Sequence, residues 1–112
     1  MVDNKIGPEG ASAIAEALKV NGVLTELNLA GNDIRDNGAT ALASALKVNA
    51  VLTSCDLGYN RIGVEGAKAL ASALEVNAVL TMLNLECNRL NGESEQLLRN
   101  AVRSRDNFQL NL

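Results

Sequence analysis

Two hydrophobic rhythms alternate along the chain. In LTELNLAGN, residues 24–32, apolar Leu27 and Leu29 alternate with polar Glu26 and Asn28. That period of two predicts a short strand with one buried face. A few residues on, GATALASALKV at 38–48 places Ala39, Leu42, Ala43 and Leu46 at helical spacing, which predicts a helix with one apolar stripe. The strand frame then returns as LTSCDLGYN at 52–60 and as LTMLNLECN at 80–88.

The recurrence has a fixed step. Leu24, Leu52 and Leu80 are 28 residues apart, and so are Asn32, Asn60 and Asn88. Residues 21–48 and 49–76 agree at 16 of 28 positions. Residues 3–20 match the back half of the unit, and 105–112 match a shortened front half. The chain therefore divides into a half repeat at 1–20, whole repeats at 21–48, 49–76 and 77–104, and a closing strand at 105–112, read together as one domain over 1–112. Glu9, Asn37, Glu65 and Glu93 open the helices, where the dipole favours negative charge. Pro8 suits the first turn of the opening helix. Asn21, Asn49 and Asn77 follow the helices, where a left-handed residue is expected. Strand–helix units in series with short links predict parallel strands side by side, with helices outside.

The frame LxxLxLxxN, carried by Leu24, Leu27, Leu29 and Asn32, resembles the leucine-rich repeat signature. Its 28-residue length and alanine-rich helix resemble the ribonuclease-inhibitor-like subfamily, which includes Ran GTPase-activating proteins and the sensor arrays of NOD-like receptors. The resemblance implies an α/β fold: a right-handed solenoid with short parallel strands on the concave face and helices on the convex face. It also implies that Asn32, Asn60 and Asn88 form a structural ladder, bonding to the backbone of adjacent turns. Cys55 departs from the pattern by taking a leucine position, where a buried thiol acts as a small hydrophobe.

Composition narrows the functions open to such a scaffold. Of 112 residues, 47% are hydrophobic, and the only aromatics are Tyr59 and Phe108, so the core is aliphatic. Leu24, Leu29, Ile34, Leu42 and Leu46, with their copies, are its expected members. The net charge of −3 argues against nucleic acid and anionic membranes as partners. No apolar run is long enough to cross a membrane, and MVDNKIGPEG has no secretory core. Cys55 and Cys87 sit at different places in the repeat and suggest neither a disulfide framework nor a metal knuckle; a reducing, cytoplasmic setting follows. The chain has no histidine, which excludes a Ser-His-Asp arrangement around Ser12, Ser44 or Ser72. No cofactor, metal or catalytic residue is expected.

The varied columns are the candidates for recognition. Outward strand positions form the rows Glu26, Ser54, Met82 and Asn28, Asp56, Asn84, with Asn111 expected to extend the second. A third outward column holds Ala30, Gly58 and Glu86, and the strand exits carry Gly31, Tyr59 and Cys87, Tyr59 being the single aromatic anchor. Arg61 and Arg89 follow the asparagines, with Lys5 in the same row and Asp33 breaking it. The reading is a non-catalytic protein-binding module with a mildly acidic concave face, placed by family analogy in host defence. Two alternatives stand beside it. One is a GTPase regulator using Arg35, Arg61 and Arg89. The other is an uncapped fragment or designed array without a ligand, since the front helix looks internal; a homodimer through uncapped ends is a further option. The last helix, expected over 92–104, is more polar than its siblings and resembles a terminal repeat.

Overall fold

The computed structural model describes residues 4–112, so the first three residues of the opening half repeat lie outside the described residues. Helices and strands alternate: α1 Gly7–Leu18, β1 Glu26–Asn28, α2 Arg35–Leu46, β2 Ser54–Asp56, α3 Val64–Val76, β3 Met82–Asn84, α4 Gly92–Ala101 and β4 Gln109–Asn111. The strands form one parallel sheet in chain order. Its register keeps the repeat columns aligned: Glu26 faces Ser54 and Ser54 faces Met82. Asn84 pairs with Asn111, so the short closing segment joins the sheet with its pattern in phase. Each helix packs on the next along the array.

The core lies between sheet and helices. Leu29, Leu57 and Leu85 from the strand exits meet Leu42, Leu46, Leu70 and Leu74 from the helices, all essentially without solvent exposure. Burying each such side chain contributes roughly 1.5–3 kcal/mol, and each turn gains it only by stacking on its neighbours. Leu24 departs from the expectation: it is 38% exposed while its copies Leu52 and Leu80 are fully buried. β1 is an edge strand, so no described turn covers that side. Leu27 in the same strand is half-buried for the same reason.

Small residues set the spacing between helices. A Cβ on Gly66 would lie 2.8 Å from Ile62 Cγ2, 2.8 Å from Asp36 Oδ1 and 3.0 Å from Ala39 Cβ, so only glycine lets α3 approach α2 this closely. In the last turn the same column holds Ser94, which closes a capping box with Asn91 at the start of α4. α4 ends at Ala101, three residues short of the expected span. A turn over the following residues then leads to the closing strand.

The asparagines after the helices are not left-handed. Asn77 has φ −86° and ψ 120°, and neither Asn21 nor Asn49 is among the described residues with positive φ. The side chains of Asn49 and Asn77 link successive turns instead. Asn49 Nδ2 donates to the Leu18 and Asn21 carbonyls, and its Oδ1 accepts from the Val51 and Leu52 amides. Asn77 repeats the pattern one turn later. Buried backbone groups need partners, and these amides supply them where helix gives way to strand. The row ends in Arg105, 28 residues after Asn77, whose guanidinium donates to the carbonyls of Leu74, Asn77 and Leu80. Phe108 stacks beneath it, 4.8 Å from the guanidinium carbon to the ring centre.

Candidate functional site

The strand exits are built on a second asparagine row. Asn60 Oδ1 accepts from the Asn32 and Ile34 amides, and Asn60 Nδ2 donates to the Leu29 and Gly58 carbonyls. Asn32 bonds in the same way to the backbone of Asn4 and Ile6, and Asn88 to that of Asn60 and Ile62. Asn32 and Asn60 are fully buried, whereas Asn88 is half-buried. Threonines add a shorter row, with Thr53 and Thr81 hydroxyls donating to the Thr25 and Thr53 carbonyls. These bonds hold successive turns in register and fix the backbone that presents the varied columns.

The outward strand residues lie side by side, as the register requires. Glu26 and Asn28 are exposed; Ser54, Asp56, Met82 and Asn84 are half-buried. The second row is tied into its own backbone. Asn28, Asp56 and Asn84 each accept from the amide two residues on, at 2.9–3.1 Å. Asn84 Nδ2 also donates to Asp56 Oδ1 at 3.0 Å. Much of this row's bonding capacity is therefore spent on shaping the strand exit.

Beyond the strands the chain turns through a left-handed residue. Gly31, Tyr59 and Cys87 occupy this column with φ of 72°, 57° and 57°. A bulky residue pays roughly 1–2 kcal/mol for that backbone, which glycine adopts freely. Tyr59 nevertheless stands there, 67% exposed. The Cys87 thiol beside its hydroxyl is the main cause that holds the phenol above its ordinary pKa, with slight desolvation and the Glu86 carboxylate adding to it. Cys87 is exposed, whereas Cys55 is buried, and burial pushes its thiol up to about 12. Glu86 is exposed at the strand exit.

Arg61 and Arg89 lie next to this column and are exposed. Asp33 sits between the cations: Arg35 Nε donates to it at 2.9 Å, and Arg61 approaches it to 3.5 Å. The Arg35 guanidinium holds the Asp33 carboxyl below the usual carboxylate range. Asp36, one of the residues that pattern reading did not single out, accepts the Gly63 amide at 2.6 Å and the Gly66 amide at 3.1 Å. It thereby caps the helix of the following turn. No periodic signal marks it, since Pro8, Val64 and Gly92 stand at the same column elsewhere. Arg105 could have been found, because it falls in the column of Asn21, Asn49 and Asn77.

Among the described residues, no group of acidic, cysteine or histidine side chains could hold a metal ion, and no helix is long and apolar enough to cross a membrane. The Leucine Rich repeat family profile matches residues 1–15, 20–43 and 48–71, more than half of the chain. The chain belongs to the leucine-rich repeat family. This leucine-rich repeat chain is also similar to a solved structure, leiomodin-1 actin-binding site 2, with a TM-score of 0.89 and 28% identity over 97% of its length. It spans 65% of that chain. No curated protein matches it. The match and the geometry agree on the architecture: four helices alternating with four parallel strands in a leucine-rich repeat array.

Proposed function

We propose that this chain is a non-catalytic protein-binding module, that its strand faces and strand exits form the binding surface, and that actin is the first partner to test. The observation that carries the reading is Tyr59. An exposed aromatic is held in a left-handed backbone where the preceding turn uses glycine, and strain of that kind is retained where a site needs it. Aromatic anchors dominate protein interfaces. Similarity to leiomodin-1 actin-binding site 2 supports a protein partner and supplies actin as a concrete one. Glu26, Asp56 and Glu86 give the concave side an acidic character, while Arg61 and Arg89 border it. In this reading the array belongs with the ribonuclease-inhibitor-like subfamily, which the 28-residue period and full helices support.

The test is binding to fluorescently labelled monomeric actin and co-sedimentation with filaments. The intact chain is expected to bind saturably. The Tyr59→Gly variant is expected to bind at least tenfold more weakly while remaining as stable as the parent or up to ~1 kcal/mol more stable. Binding that is unchanged in Tyr59→Gly would remove Tyr59 from the site, and absence of binding to either form of actin would refute actin as the partner.

A further inference from the structure

The strand-exit edge carries positive charge on a chain whose net charge is −3. Lys5, Asp33, Arg61 and Arg89 fall 28 residues apart and stack in one row, with Arg35 joining two residues past Asp33. Arg35, Arg61 and Arg89 line an open groove of about 460 Å³ together with Pro8, Asp36 and Asn37. Arg61 also walls an adjoining hollow of about 430 Å³, whose other lining residues include Lys5, Asp33 and Tyr59.

The internal carboxylates do not balance these cations. Asp33 pairs with Arg35 and reaches Arg61, and Asp36 directs one oxygen at the Gly63 and Gly66 amides. Neither Lys5 nor Arg89 has a carboxylate within ion-pair distance among the described residues. Neighbouring strands lie about 4.8 Å apart, so Arg61 and Arg89 extend from adjacent turns as like charges. Lys5, Asp33 and Arg61 also have left-handed backbone, with φ of 51°, 55° and 56°, in positions that favour glycine or asparagine.

We propose that this groove seats an acidic segment of a polypeptide partner. The proposal rests on the protein-binding reading and names the chemistry of the partner. A guanidinium presents a fork of donors that matches a carboxylate. Arg35 already holds one in that manner, with Nε at 2.9 Å and the terminal nitrogen at 3.2 Å from the two Asp33 oxygens. Three turn spacings from Lys5 to Arg89 cover about 14 Å, the length of four or five extended residues. The Tyr59 ring at the wall of the hollow takes an apolar residue beside the acids. A long phosphate polymer fits less well, because Glu26, Asp56 and Glu86 on the neighbouring strand face repel it beyond this short stretch.

The test uses a fluorescein-labelled hexaglutamate peptide, its hexaglutamine counterpart and a hexathymidylate oligonucleotide, read by fluorescence polarisation at low salt. Hexaglutamate is expected to bind at least tenfold more tightly than hexaglutamine. An Arg61→Ala/Arg89→Ala double variant is expected to weaken it at least fivefold. A Lys68→Ala/Arg99→Ala double variant, which removes cations paired elsewhere with Glu93 and Glu95, is expected to leave it unchanged. Circular dichroism checks that both variants fold, and the single Arg89→Gln variant, which removes no ion pair, gives the same readout with the Asp33 contacts intact. Equal binding of hexaglutamine, equal losses in both double variants, or tighter binding of hexathymidylate would overturn the proposal. Failure here with actin binding retained would refute the groove alone; failure of both would take the broader reading with it.

Discussion

Replacing Asn77 separates two physical roles for an asparagine at the end of a helix. A left-handed asparagine can be exchanged for glycine at little cost, because glycine adopts that backbone freely. A bridging asparagine cannot, because the side chain does the bonding. Asn77 is 5% exposed. Its Oδ1 accepts from the Val79 and Leu80 amides at 2.9 and 2.8 Å, and its Nδ2 donates to the Leu46 and Asn49 carbonyls at 2.7 and 3.2 Å. Removing the side chain strips the acceptor from two amides and a donor from two carbonyls. Each buried amide left without a partner costs about 1–3 kcal/mol; the carbonyls, with two lone pairs each, suffer less. Both Asn77→Ala and Asn77→Gly are therefore expected to lose roughly 2–5 kcal/mol, a large share of the ~5–15 kcal/mol that holds a domain together. Urea unfolding followed by circular dichroism at 222 nm measures this directly. A loss below about 0.5 kcal/mol in Asn77→Gly would refute the bridging account and restore the left-handed one.

Three further outcomes follow from the same geometry. Arg105→Ala removes a charged donor shared by three carbonyls and is expected to cost about 2 kcal/mol in the same unfolding assay, with Arg105→Lys recovering less than half because an ammonium cannot span the three. Gly66→Ala forces a methyl against α2 and is expected to cost about 1–3 kcal/mol, whereas Gly92→Ala, with nothing within 4 Å of the new Cβ, stays close to the parent. The Cys55 thiol, raised to about 12 against 9.0 for its ordinary value, favours the folded state below pH 9 and loses that advantage as pH rises toward 12. The parent is expected to lose about 1.4 kcal/mol more than Cys55→Val between pH 8 and 10, and an equal pH dependence in the two would count against burial as the cause.

The period made the architecture legible because one unit repeats the same demands. Leu29, Leu57 and Leu85 fall on the buried side, and Asn111 registers with Asn84 even though the closing turn is one residue shorter. What the period hid are the features that break it or that depend on neighbouring turns. Leu24 has its copies' identity without their cover. Asn49 and Asn77 have the composition of a helix stop, yet their Nδ2 groups donate to the preceding turn, a contact that no local pattern encodes. Asp36 caps the helix of the next turn from a column with no consistent residue type. The exposed candidates were legible as positions, since rows on a sheet follow from alternation. The half-burial of Asp56 and Asn84 beside each other was not, because their contact is a cross-strand hydrogen bond. The left-handed backbone at Tyr59 had one signal, the glycine at Gly31 in the same column.

The central claim is that the strand face and strand exits, and not the outer helices, meet the protein partner. Hydrogen–deuterium exchange of the intact chain, with and without saturating actin, tests it most directly. The account predicts added protection in residues 54–61 and 82–89, with exchange in residues 40–47 and 68–75 of the outer helices unchanged. Protection confined to those helices, or no change anywhere along the chain, would contradict it.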